Sequence, residues 1–295
     1  MKILIIGSKG FFGSRLSNYL KKRNVGVQGF SSSDGNAIDP QTGNLSDTFS
    51  IPEGTGAVIY LAQSPYYHRV PEMFPHLVSV NVASAVKAAE LSRRAKVKRF
   101  IYASTGNVYA PAFQPLPETA PVRKDNWYAL SKVMAEEALS LYRNDMDITV
   151  IRPFGIYGPG QANKLVPNLL KSLLEGKEIS LDRNPHDPDD LDGLRVSLCY
   201  IDDAVAMIAG LLMKSGPHYL NIAGDTAAGI RQIVTLMAGC VGKEAKLTVS
   251  EKYRQFDLIA DVSLLRKVLN PVFTGLEAGI RKTVEGAKTS PDMNT

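Results

Sequence analysis

GSKGFFG, residues 7 to 13, decides how the rest of this chain is read. It follows a short apolar run, KILII, and opens FFGSRLSNYLKKR, whose apolar residues recur at helical spacing. A GxxGxxG match is weak by itself, but a strand before it and a helix after it make it a phosphate-binding turn. Gly7 makes the tight turn, Gly10 lets backbone approach a pyrophosphate, and Gly13 lets the helix pack on the strand. The helix N-terminus adds free amide N–H groups and the positive end of its dipole. The expected occupant is a dinucleotide, with Gly7, Lys9, Gly10, Phe11, Phe12 and Gly13 around its phosphates.

Outward from this loop, β-rich and helical runs alternate: VGVQGF, AVIYLAQ, VASAVKAAELSRRA, RFIYAS, SKVMAEEALSLYR and DITVIRPFG. Alternation at this spacing predicts an α/β fold, a Rossmann-type doubly wound parallel sheet with ligands beyond the carboxyl ends of its strands. After residue 160 the pattern loosens. We expect a dinucleotide-binding domain over 1–160, with a strand and helix returning near 196–213, and a smaller interleaved C-terminal domain for substrate over 161–295.

The 295 residues are 44% hydrophobic and 21% charged, the composition of a globular protein large enough for two unequal domains. No apolar run approaches the roughly 18 residues of a membrane span, so a cytoplasmic protein without membrane contact is expected. The net charge of +5 comes from scattered Lys and Arg, which argues against nucleic acid and suits a small anionic ligand. Cys199 and Cys240 lack metal-ligand spacing and read as buried small hydrophobes. The acidic run DRNPHDPDDLDG reads as a solvated loop, and the four histidines share no spacing, so no metal is expected.

Two further features bear on chemistry. Where the second predicted strand ends, a dinucleotide site that binds NAD usually supplies a carboxylate to the adenosine ribose. The register here gives Ser31, followed by Ser32 and Ser33; hydroxyls suit a 2′-phosphate, and Lys9 adds charge, so NADP is expected over NAD. In NWYALSK, Tyr128 and Lys132 share a helix face. A phenol is a poor base at neutral pH, but a nearby ammonium favours phenolate and would fit Tyr128 to move a proton.

With GSKGFFG, VIYLAQ (58–63), NVASAVKAAE (81–90), KRFIYASTGNVYA (98–110), YALSK (128–132), RPFGIYGPG (152–160) and LCYIDDAV (198–205) in order, the chain resembles the extended short-chain dehydrogenases/reductases. These are NAD(P)-dependent epimerases and dehydratases of nucleotide sugars, and the likeness runs almost end to end. It implies that Tyr128 is the acid/base, that Lys132 holds the nicotinamide ribose and lowers the tyrosine pKa, and that Thr105 bonds the reacting oxygen. By the same likeness Asn44 and Leu45 lie at the adenine, and Leu61, Ala62 and Pro153 line the cofactor. Asn107, Asn163, Lys164, Leu165 and Arg195 would contact a nucleotide-sugar substrate, Arg195 gripping its diphosphate. A homodimer through the helices near 84–95 and 128–143 is implied as well.

Dehydratases of this kind carry an Asp-Glu pair after the active-site threonine. Gly106 and Asn107 stand there instead, so 4,6-dehydration is not expected. The expected reaction is NADPH-dependent reduction of a 4-ketohexose at C4, with a 4-epimerase retaining NAD as the alternative. A non-catalytic dinucleotide sensor is disfavoured by the presence of Tyr128 and Lys132.

Overall fold

Ile3–Ile6, Val58–Tyr60 and Phe100–Tyr102 are buried along their whole length, as strands sandwiched between two helix layers must be. The computed structural model describes residues 2–34 and 37–288. Residue 1 and residues 289–295, the outer ends of the two expected domains, lie outside the described residues. In chain order the first half runs β1 (Lys2–Ile6), α1 (Phe11–Lys21), β2 (Gly26–Phe30), β3 (Thr55–Tyr60), α2 (Phe74–Val78), α3 (Ser84–Arg94), β4 (Arg99–Ala103), α4 (Trp127–Ser140) and β5 (Asp147–Pro153). The second half continues with β6 (Ile156–Tyr157), α5 (Leu165–Leu174), β7 (Ile179–Arg183), β8 (Arg195–Ser197), β9 (Cys199–Tyr200), α6 (Ile201–Leu211) and β10 (Tyr219–Ile222). Then come β11 (Ala227–Gly229), α7 (Ile230–Val241), β12 (Leu247–Tyr253), α8 (Ser263–Leu269) and α9 (Leu276–Lys288).

Six strands form one parallel sheet in the order β10-β5-β4-β3-β1-β2, the Rossmann-type arrangement expected. The chain leaves β1 on one side for β2 and returns on the other for β3. A crevice therefore opens beyond the carboxyl ends of β1 and β3. Register brings those ends level: Ile6 faces both Phe30 and Tyr60, and Tyr60 faces Tyr102. Alternation divides each strand between two cores. Ile3, Ile5 and Ile59 pack with Leu16 of α1 and Ile208 of α6, whereas Leu4, Ile6 and Val58 pack with Ala85 and Ala88 of α3 and Leu139 of α4. Each large aliphatic side chain removed from water in this way contributes roughly 1.5–3 kcal/mol.

The returning strand is not the one expected. Residues 195–197 pair antiparallel with β11 and 199–200 pair with β6; it is β10, at 219–222, that extends the sheet on β5. The backbone of 195–200 is consumed by other partners, Ser197 N bonding Leu258 O and Cys199 N bonding Gly155 O. Helix α6, in contrast, does return to share the core with α1.

Between α2 and α3 the helix widens into a π-type turn, Ser79–Ala83. Widening frees backbone carbonyls, and two buried tyrosines on neighbouring strands satisfy them. Tyr60 Oη donates to Val80 O at 2.5 Å, and Tyr102 Oη to Asn81 O at 2.9 Å. The turn so held aims Asn81 Nδ2 at Ser131 Oγ of α4 (2.9 Å), and Ser131 Oγ donates to Tyr128 O (2.8 Å). Asn81 thus fixes the first turn of α4 against the sheet.

Candidate active site

At the end of β1, Gly7 adopts φ +94°, and a Cβ there would lie 2.7 Å from Ala62 N. A Cβ on Gly13 would collide with the Gly7 carbonyl oxygen. Gly10 differs: its nearest neighbour would be 3.4 Å away, so its bare backbone leaves room on the cleft side. Above the loop opens a cleft of about 420 Å³, whose lining includes Gly7, Lys9, Gly10, Ser31, Leu61 and Ala62. That volume and the glycine cradle fit the phosphates and adenosine of a dinucleotide.

The remaining expected cofactor residues are not among those lining this cleft. Phe11 and Phe12 are half-buried against the core beneath α1. Asn44 and Leu45 line a separate depression with Thr42, Ser84 and Lys87. Residues 37–46 form a small hairpin, with Asp39 N bonding Asn44 O and Ser46 N bonding Ala37 O, and its Ile38–Asp39 leg is the one that meets the cleft. Pro153, half-buried, closes β5 and pairs with Ile222. His76 is buried in the cleft wall, its Nδ1 2.9 Å from Ser64 Oγ.

Beyond β2 stands a carboxylate that the strand register did not supply. Asp34 accepts from Ser31 N (2.7 Å) and Ser31 Oγ (2.9 Å), and pairs with Lys9 Nζ at 2.6 Å. Lys9 and then Ser31 hold its carboxyl below the usual range by hydrogen bonding. The Lys9 ammonium also donates to Ser33 Oγ at 2.8 Å.

Tyr128 lies in the first turn of α4, a helix capped by Asn126 Oδ1 on Ala129 N (3.0 Å). Its Oη donates to Gln63 Oε1 at 3.0 Å, a partner with no signal in the sequence. Burial pushes the phenol pKa up, the Thr105 hydroxyl pulls it back, and Tyr67 adds to the rise. Thr105 is buried beyond β4, its Oγ1 accepting from Asn107 N at 3.2 Å. Lys132 is 1% exposed, and its Nζ donates to Ala103 O at 2.8 Å beside the Tyr102 ring. Desolvation lowers its pKa to about 7, with Glu136 opposing. Glu136 is itself clamped to Arg152 at 2.6 Å, both fully buried.

On the substrate side, Lys164 Nζ crosses to Tyr67 Oη at 2.6 Å, and the Tyr67 ring stands 5.7 Å from that of Tyr128. Asn163 is exposed in a left-handed turn (φ +55°), and Leu165 is half-buried against the core. Arg195 is exposed at the start of β8, its backbone N donating to Asp257 Oδ1 at 2.9 Å, while Val196 and Ser197 after it are both buried. A second buried guanidinium, that of Arg254, pairs with Asp257 at 2.8 Å and Asp190 at 2.5 Å while Nη1 has no partner among the described residues. Asp190 comes from the acidic loop read as solvated, so that loop is anchored. Asp257 and Asn107 line one small pocket, which links Arg254 to the Thr105 side of the site.

The model of the NAD dependent epimerase/dehydratase family matches residues 3–223. The chain is 28% identical over 268 residues to a UDP-glucose 4-epimerase of Mycolicibacterium smegmatis, covering 82% of this chain and 83% of that protein. Among solved structures, a Bacillus cereus UDP-glucuronic acid 4-epimerase in complex with UDP-glucuronic acid and NAD superposes with a TM-score of 0.80, at 22% identity over 98% of this chain and 99% of that one. A Thermus thermophilus UDP-glucose 4-epimerase in complex with NAD gives a TM-score of 0.76, at 21% identity over 98% of this chain and 100% of that one. The expectation of NADP over NAD is corrected by these NAD complexes and by the family's description. The local reason is Asp34: it neutralises Lys9, engages the Ser31 hydroxyl and would repel a 2′-phosphate.

Proposed function

The chain belongs to the NAD dependent epimerase/dehydratase family, extended short-chain dehydrogenases/reductases, and from that premise we propose that it is a 4-epimerase of a nucleoside-diphosphate hexose that retains NAD. The observation carrying this reading is the convergence of Tyr128, Thr105 and Gln63 at the mouth of the glycine-loop cleft. Reduction of a 4-ketohexose, the reaction expected from the serines after β2, loses its ground once Asp34 stands among them. The relatives named 4-epimerases support the alternative.

Gly7, Gly10, Ser31, Leu61 and Ala62 would hold the cofactor, and Asp34, which keeps acceptor capacity beyond its bonds to Ser31 and Lys9, would accept from the adenosine ribose hydroxyls. NAD supplies a reversible hydride acceptor for C4. Tyr128 removes the proton from the C4 hydroxyl and returns it, and Thr105 holds that oxygen in line. The phenol's raised pKa in the free protein means that it needs positive charge nearby to serve as a base. Lys132, sealed from water, lends that charge only when protonated. Arg254, whose buried Nη1 has no partner among the described residues, suits the oxygens of a diphosphate. The exposed apolar side chains Trp127 and Met134 of α4 support the expected homodimer.

The test incubates the purified protein and NAD with UDP-glucose and, separately, UDP-glucuronate, and follows the C4 epimer by NMR. Interconversion in both directions without NADPH oxidation is expected for at least one substrate. Stoichiometric NADPH oxidation by a 4-keto sugar, with no interconversion, would replace the epimerase by the reductase.

A further inference from the structure

A buried imidazole in the cleft wall takes no part in the exchange at C4, yet it joins two stretches of the site that the chain keeps apart. His76 lies in α2 and is 6% exposed. Its Nε2 stands 3.2 Å from Pro40 O, and its Nδ1 2.9 Å from Ser64 Oγ. A carbonyl oxygen only accepts, so the ring proton is on Nε2, and Nδ1 accepts from the Ser64 hydroxyl. Ser64 Oγ in turn accepts from Tyr66 N at 3.2 Å, which gives the hydroxyl both of its roles. The Tyr66 ring stands edge-on to the imidazole at 4.8 Å.

Both ends of this bridge belong to the lining of the dinucleotide cleft. Pro40 follows the Ile38–Asp39 leg of the hairpin, and Ser64 lies between Gln63 and Pro65, two further lining residues. Gln63 Oε1 accepts from Tyr128 Oη at 3.0 Å, so the backbone that His76 holds is the backbone that presents an acceptor to the reacting phenol. Asn81 holds the same residue by its main chain, Oδ1 accepting from Ser64 N at 3.4 Å while Nδ2 donates to Ser131 Oγ of α4 at 2.9 Å. Ser64 is thus tied to α4 through its backbone and to the hairpin through its side chain.

We propose that His76 is a positioning residue that sets both the hold on the adenosine end of NAD and the placement of the Tyr128 phenol. Its Nε2 side keeps the hairpin leg at the cleft, and its Nδ1 side keeps Ser64, and with it Gln63, aligned with Tyr128. The first effect rests on the NAD assignment, the second on the 4-epimerase reading. Breaking either bond leaves a buried partner unsatisfied, Pro40 O or the Ser64 hydroxyl, and each side should read as about a tenfold change in the quantity it governs.

The two sides separate by substitution, because asparagine sets an amide near the place of Nδ1 and glutamine near that of Nε2. The experiment measures the NAD Kd of protein freed of cofactor, and kcat and KM for C4 interconversion of UDP-glucose and UDP-glucuronate at saturating NAD. His76→Gln should lower kcat about tenfold with NAD affinity unchanged, and His76→Asn should weaken NAD about tenfold with kcat retained. Ser64→Ala removes the donor to Nδ1 and should repeat the glutamine result, so a His76 variant that does not fold leaves the test intact. Parallel losses of kcat and NAD affinity in both His76 variants mark a merely structural contact, unchanged values mark none, and each overturns the proposal. If neither sugar interconverts with the wild type, the epimerase reading fails separately, and amide hydrogen exchange at Gln63, Ser64 and Tyr66 decides in its place. Exchange about tenfold faster in His76→Gln and Ser64→Ala than in His76→Asn supports the bridge, and equal exchange in all three refutes it.

Discussion

Replacing Lys132 by methionine should change the pH dependence of stability in a direction set by burial. Lys132 is 1% exposed, and desolvation takes its pKa from 10.5 to about 7 against the opposing charge of Glu136. Below the folded value both states bind the proton, and the cost of holding a buried ammonium is present in full, on the order of 5 kcal/mol for a gap of this size. Between the folded and unfolded values only the unfolded chain keeps the proton, so stability rises with pH; above the unfolded value the cost is gone. From pH 7 to pH 9 the wild type should gain roughly 2–3 kcal/mol that Lys132→Met does not gain, about 5 °C in relative Tm. The methionine also removes the donor to Ala103 O, but that loss does not vary with pH and cancels in the slope. Melting curves of both proteins, freed of cofactor, at matched ionic strength from pH 6 to 9.5 provide the comparison. A Tm difference constant across this range would mean that the ammonium is hydrated in the folded protein and that the reasoning from burial is wrong.

Asp34→Ser should free Lys9 and shift the ratio of NADP to NAD affinity upward by about tenfold, ~1.4 kcal/mol, read by fluorescence titration of each reduced cofactor. Tyr128→Phe should lower epimerisation by about 10²–10⁴-fold while the protein still binds NAD, separating loss of the proton carrier from loss of the fold. Glu136→Gln leaves Arg152 buried without its counter-charge and should cost about 3–5 kcal/mol, measured by urea unfolding. Sedimentation at twice the monomer mass, reduced to the monomer by Trp127→Glu and Met134→Glu together, is the expected result for the α3–α4 dimer.

The glycine loop and the parallel sheet were legible because their physics is local. Gly7 and Gly13 stand where a Cβ would strike backbone three or more residues removed along one turn or across to β3, and the apolar runs around them are too continuous for half-exposed strands. Tyr128 and Thr105 were singled out through resemblance, since nothing in a helix-face spacing marks a phenol as reactive. What escaped depends on which way a side chain turns after its strand ends. Ser31 was placed correctly by register, yet the chain coils on at once through Ser32–Asp34, and the carboxylate folds back to the strand end. The same carboxylate was visible in SSSD as the next polar residue; only the turn decides that it, and not the serines, sets the charge.

Arg195 and Arg254 make the converse case. A substrate-facing arginine was expected from its place before LCYIDD; its side chain is exposed at the start of β8, one position from the buried Val196 and two from the buried Ser197. YRQFD carries the better signal, an Arg and an Asp three apart, though Asp190 had to arrive from a loop 64 residues away to complete the buried pairs. Tyr67 and Lys164 are separated by 97 residues, and no spacing rule joins them. Contacts between distant segments are the ones pattern reading passes over: Lys164 meets Tyr67 only once the loop after β3 is laid across α4.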